Sequence, residues 1–209
     1  MPEPGSMPHV VLLGDSIFDN GAYVNGGPDV CASLRALIHP RGTVSLCAVD
    51  GATATEVPRQ VARIPAGATQ LVLSVGGNDA LLHMHLLDML VASSSETLLL
   101  LADALDRFES HYRAALRIVL SRGLPTTVCT IYNAHFADPA QARCVRIAVA
   151  LFNDVILRVA REHSLPSIDL RAVCTDTTDY VNGIEPSVMG GGKLAAAIMG
   201  ALGVGTTAT

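Results

Sequence analysis

The sequence predicts an α/β fold in which a five-stranded parallel sheet is covered by helices on both faces, a three-layer α/β/α sandwich. Two observations predict it. Short, continuously apolar or β-branched runs bounded by turn residues alternate with longer segments whose apolar residues recur every three or four positions. Half of the 209 residues are hydrophobic and 16% are charged, with a mean hydropathy of +0.40, enough to bury one sizeable core. One domain spanning 1–209 is therefore expected.

In chain order, the strands are expected at His9–Leu13, Thr43–Ala48, Gln70–Val75, Thr126–Ile131 and Ser167–Leu170. Their runs do not alternate with polar residues, as strands of a parallel sheet, buried on both faces, should not. The intervening segments read as helices. The clearest covers Thr97–Arg122, where Leu101, Leu105, Phe108, Tyr112, Leu116 and Val119 share one face and Gly123 stands at the stop. A second covers Ala140–His163, with Val145, Ala148, Phe152, Ile156 and Val159, and a last runs from Val188 to Leu202. Strand-to-strand connections of this kind cross over right-handed. The ends, 1–8 and 204–209, lack any such pattern and are expected to be mobile.

Composition also excludes functions. The formal net charge of −5 and the absence of a basic run disfavour nucleic acid as a partner. Apolar stretches such as LVLSV and LLLLA fall short of the 18 or more residues that suggest a spanning helix, so no membrane insertion is expected. The first residues show no basic start followed by an apolar core, which points to a cytoplasmic protein. Five cysteines stand singly, without a CxxC pair; they are read as reduced and mostly buried, with no metal and no cofactor. The oligomeric state is open, and a homo-oligomer is compatible with the composition.

In a doubly wound sheet the ligand site lies beyond the carboxyl ends of the strands. The first strand ends in Gly14-Asp15-Ser16-Ile17-Phe18-Asp19-Asn20, which puts Ser16 on a tight turn, placed either to attack a substrate or to cap the next helix. The second ends in Asp50-Gly51-Ala52, where a bare glycine N–H can approach a ligand closely. The third ends in Gly76-Gly77-Asn78-Asp79, where Asn78 can aim its amide at a developing oxyanion or cap a turn.

Taken together, Gly14-Asp15-Ser16, Gly51 and Gly77-Asn78-Asp79 resemble the first three blocks of the SGNH (GDSL-like) hydrolases, in the right order. The resemblance extends to Asn182–Ala195 and so covers nearly the whole chain. It implies a flavodoxin-like three-layer sandwich and hydrolysis of esters, thioesters or O-acetyl groups without metal or organic cofactor. Ser16 would be the nucleophile, with an oxyanion hole from its own N–H, that of Gly51 and the Asn78 side chain. Phe18 stands where the G-x-S-x-G elbow of the α/β-hydrolases has its second glycine, which argues against that fold.

The family's last block reads Asp-x-x-His-Pro, whereas this chain reads Asn182-Gly183-Ile184-Glu185-Pro186-Ser187. Aligned on Pro186 and Gly190, Glu185 falls where histidine belongs and Asn182 where aspartate belongs. Glutamate is the weaker base, since its ordinary pKa is about 4.3 against about 6.5, but burial can raise it. Glu185 is the first candidate for the base of Ser16. His135, after the fourth strand, is the second. Of His83 and His85, two residues apart, at most one can line the pocket. Asp176 and Asp179 could orient a base or cap the approach to it, Asp179 with the better claim by proximity, although solvation at the surface is its simpler role.

The leading expectation is a serine esterase of lysophospholipase or acetylesterase type, acting on a short- or medium-chain neutral ester. Acyl transfer to another alcohol would use the same groups. A catalytically degenerate, ligand-binding protein of the same fold is the reading from a different class. The stretch Leu81–Ser95, rich in Leu and Met, could line an acyl pocket or simply be core.

Overall fold

The structure, a computed structural model, describes residues 7–203. The ends expected to be mobile lie outside the described residues, Met7 and Pro8 excepted. Five strands, β1 (His9–Gly14), β2 (Thr43–Leu46), β3 (Gln70–Ser74), β4 (Thr126–Cys129) and β5 (Ser167–Ile168), form one sheet in the order β2-β1-β3-β4-β5. Every neighbouring pair is parallel. In the central pair Leu13 lies opposite Leu73 and Gly14 opposite Ser74, so β1 and β3 end side by side.

Strands β2, β4 and β5 stop two residues before their apolar runs do. Past β2 the Cys47 and Ala48 N–H groups both converge on the Leu12 carbonyl at 2.9 Å, and past β4 and β5 side chains take over the strand hydrogen bonds. The buried Asn153 amide, for example, accepts from the Ile131 N–H and donates to the Ile131 carbonyl, both at 2.7 Å. The Leu170 N–H likewise goes to Thr130 Oγ1 at 2.9 Å. A run of apolar residues therefore marks burial accurately and strand length only roughly.

Among the described residues, six α-helices complete the fold: α1 (Val30–Ile38), α2 (Val57–Val61), α3 (Gly77–Leu81), α4 (Ser94–Leu120), α5 (Pro139–Glu162) and α6 (Val188–Ala201). α4 starts three residues before its periodic face because the Ser93 hydroxyl caps it, accepting from the Glu96 N–H at 3.2 Å. The Glu96 carboxylate in turn accepts from the Ala92 N–H at 2.8 Å. Alternate residues of β1 feed two cores. Val10 and Leu12 pack among residues of α1 and α6, whereas Val11 and Leu13 pack among residues of α2, α4 and α5. Each face of the sheet is thus sealed by its own layer, and the loops at the carboxyl edge are left to build a site.

Candidate active site

Gly14 adopts a φ of +130°, and a Cβ there would lie 1.7 Å from the Ser74 carbonyl oxygen, so the turn that leaves β1 beside β3 requires glycine. The buried Gln60 side chain holds this turn from α2, accepting from the Gly14 N–H at 2.8 Å and donating to its carbonyl at 2.7 Å. Asp15 then donates its N–H to Ser74 at 3.2 Å, and its carboxyl accepts the Ile17 N–H at 3.1 Å. Ser16, 8% exposed, is presented at the crest, and its Oγ donates to Glu185 Oε1 at 3.2 Å.

Glu185 stands in a hairpin just before α6. Val181 donates its N–H to the Glu185 carbonyl at 2.9 Å, and Asn182 Oδ1 accepts from Ile184 and Glu185 at 3.2 and 3.0 Å. Asn182 therefore shapes the backbone that carries Glu185. Three further ties hold the hairpin against the sheet edge. The Tyr132 hydroxyl donates to the Ile184 carbonyl, the His135 N–H donates to the Gly183 carbonyl at 2.6 Å, and Asn20 Nδ2 donates to the Pro186 carbonyl at 3.0 Å. Behind them, the Ser187 N–H donates to the Asp179 carbonyl at 2.8 Å.

Asp179 is not a solvated surface residue. It is fully buried, 2.8 Å from the Lys193 ammonium, and accepts the Thr175 and Asp176 N–H groups at 3.0 Å. Lys193 also reaches Asp176, which is exposed. Both carboxylates thus serve the frame of the hairpin through Lys193.

Burial pushes the Glu185 carboxyl above its ordinary range, against the Ser16 hydroxyl bond, which lowers it; Asp50 raises it further. Its second oxygen, Oε2, is buried and has no partner among the described residues. Asp15 is 2% exposed, and burial, opposed by the Ile17 N–H and reinforced by Glu185 and Asp79, pushes its carboxyl up to about 8. Two buried carboxyl groups therefore flank the serine, and neither takes its charge readily.

The other loops are cross-linked to this centre. Asn78, in the first turn of α3, donates through Nδ2 to the Ala52 carbonyl at 3.1 Å, and the buried Asp79 accepts the Ala54 N–H at 3.0 Å. Between them they hold the loop of Gly51, whose φ is +77°. Ser16, Asn78 and Glu185 line one cavity of about 300 Å3, and Gly51 lies outside its wall. His83 lines it as well, whereas His85 is exposed, with Nδ1 3.1 Å from the Leu82 carbonyl. His135 does not line it: its exposed ring stacks on Tyr180, with centroids 6.5 Å apart. From the stretch Leu81–Ser95, Leu81, Met84, Leu86 and Leu87 contribute to the wall.

Gln60, Asn20 and Tyr132 were not singled out from sequence, although all three hold the site. Gln60 carried a signal: an uncharged polar residue between Val57 and Val61 on the buried face of a short helix must satisfy its amide on something internal. Among the described residues, no three His, Cys, Asp or Glu side chains are grouped to hold a metal ion, and no helix is long and apolar enough to cross a membrane.

No curated protein sequence matches this chain. Solved structures do. An extracellular lipase from Streptomyces rimosus is similar with a TM-score of 0.69 at 18% identity, over 95% of this chain and 100% of that one. Phospholipase A1 from Streptomyces albidoflavus NA297 gives 0.69 at 16% identity, over 93% and 99%. An acetyl xylan esterase variant from Geobacillus stearothermophilus gives 0.65 at 16%, over 98% and 99%. At these identities the likeness is one of fold. The sequence pattern of one family, however, matches residues 12–188, from within β1 to the start of α6. On that match, the chain belongs to the GDSL-like lipase/acylhydrolase family.

Proposed function

We propose that the protein is a serine-dependent hydrolase of carboxylic esters in which Ser16 is the nucleophile and Glu185 its base. Membership of an acylhydrolase family supports ester hydrolysis in general. The observation that carries the finer reading is the 3.2 Å contact from Ser16 Oγ to Glu185 Oε1, within reach for proton transfer. Its acceptor is a buried carboxylate whose proton affinity is raised, and that moves a weak base towards the useful range.

The steps follow from this geometry. As Oγ bonds to the ester carbon, its proton passes to Glu185, and the carbonyl oxygen gains a negative charge. The Ser16 N–H, the Gly51 N–H and Asn78 Nδ2 would receive that charge. Nδ2 carries two hydrogens, and only one is used on Ala52. When the tetrahedral centre collapses, the C–O bond to the alcohol breaks and the alcohol takes the proton from Glu185. Water then repeats the sequence on the acyl-serine and releases the acid. The five cysteines are free, four of them buried, which suits the reducing cytoplasm proposed as its location.

The test is kcat/KM for an aryl ester across pH in the wild type, Ser16→Ala and Glu185→Gln. Ser16→Ala should lose at least about 10³-fold and Glu185→Gln about 10²–10⁴-fold. Because Glu185 must be ionised to accept a proton, wild-type activity should fall as pH drops through its raised pKa, with a midpoint above 4.5. The same trace activity in all three proteins would remove the enzyme reading and leave ligand binding.

A further inference from the structure

The cavity beside Ser16 is larger and more apolar than a short polar ester requires. At about 30 Å3 per water-sized group, its 300 Å3 holds on the order of ten such groups, and a methylene is close to that size. It lies where the N-terminal parts of α4 and α5 meet over α3, and Leu81, Leu98, Leu101, Val145, Ala148 and Phe152 belong to its wall. Among the described residues no lysine or arginine lines it, so a carboxylate or phosphate inside would find no counter-charge there.

The opposite flank of Ser16 differs. The Asp50–Gly51 turn is exposed and outside the cavity wall, with the Tyr23 hydroxyl donating to the Asp50 carboxylate at 2.8 Å and Asp19 accepting the Asp50 N–H at 2.9 Å. In an acyl-enzyme reaction the alcohol leaves and water replaces it, while the acyl chain stays in place. The apolar side suits the part that stays, and the polar exposed side suits the part that exchanges with water.

We propose that the cavity between α4 and α5 is an acyl subsite that selects esters of neutral fatty acids of about eight to ten carbons. The assignment rests on Ser16 being the nucleophile. It specifies which side of the ester the cavity holds and how long a chain fills it.

The experiment measures kcat/KM for 4-nitrophenyl esters from acetyl to dodecanoyl below their aggregation limits, and for the isomers methyl octanoate and heptyl acetate. Each buried methylene should contribute about fourfold (about 0.8 kcal/mol) until the cavity is full. Octanoyl should therefore exceed acetyl at least a hundredfold, and methyl octanoate should exceed heptyl acetate. Ala148→Phe, and the milder Ala148→Leu should the first not fold, should move the optimum to shorter chains and lower the octanoyl-to-acetyl ratio at least tenfold. A flat or falling chain-length profile, or preference for heptyl acetate, overturns the acyl subsite and leaves the serine hydrolase standing.

Calorimetric binding of octan-1-ol and butan-1-ol does not depend on turnover. With no ester hydrolysed, at least tenfold tighter binding of octan-1-ol, lost in the Ala148 variants, supports the apolar chain subsite while the hydrolase reading falls. Equal binding of the two alcohols overturns it.

Discussion

The two ends of the layer formed by α4 and α5 treat their carboxylates in opposite ways. Towards the ends of these helices, Glu109 is gripped by Arg158 at 2.6 Å and Arg113 at 2.7 Å, and Arg113 also holds Glu162 at 2.6 Å. The hydrogen bonds from Arg158, then those from Arg113, hold Glu109 down at about 2 against the effect of its burial. At the helix starts, beside the cavity, Asp15 and Glu185 are buried with no arginine or lysine among the residues lining the space they face, and both are pushed up. The pairs run in register, 109 with 158 and 113 with 162, so the helices lie parallel. One end is clipped by charge and the other is left open and apolar. Charge pairing is concentrated away from the cavity, and the cavity end keeps two buried carboxyl groups whose proton affinity is raised.

Asp15 should break this contrast most strongly. Its unfolded pKa near 3.8 rises to about 8 on folding, so the folded protein holds a proton that the unfolded chain has lost. Stability should therefore fall as pH rises from about 4 to about 8, by up to roughly 6 kcal/mol at about 1.4 kcal/mol per unit. Asp15→Asn should remove most of that slope in urea unfolding followed across pH; an unchanged slope would mean that the site end does not carry the strain.

A smaller effect is expected at the clipped end. Glu109→Gln should cost about 1 kcal/mol at neutral pH, less in high salt, with ester turnover within about twofold of wild type. Because the folded pKa of Glu109 is depressed, the cost should be complete above about 4.5 and disappear as pH falls through about 2. Loss of turnover in this variant would show that the two ends are coupled.

The smallest change should come at the cavity rim. Leu98 lines the cavity yet is 64% exposed, so Leu98→Asn should leave stability within about 0.5 kcal/mol while lowering kcat/KM for octanoyl esters about threefold. A clear drop in melting temperature would make Leu98 a structural residue instead.

Much of the frame was legible beforehand. The five strands and three long helices lie where their apolar patterns placed them, because each pattern is set by neighbours along the chain. The short helices α2 and α3 and the cap that starts α4 early were not specified, since five residues carry too little periodicity to read. Of the site residues, Ser16, Asn78 and Glu185 meet on one cavity, while His135 faces outward with its ring on Tyr180. Sequence could not choose between Glu185 and His135, because both follow carboxyl-edge turns and only the hairpin ties made by Asn182, Tyr132 and Asn20 turn one of them inward.

The order of amino acids by itself determined the sheet, its two helical layers, the glycine turn under Ser16 and the family to which these belong, since each is written in local spacing. Only the tertiary structure decided that a carboxylate 169 residues away meets the serine, that Asp179 is buried against Lys193, and that the space beside the serine is lined mostly by apolar side chains. Those outcomes depend on how separate helices pack over one sheet edge, and burial and desolvation arise from the whole enclosure rather than from any segment of chain.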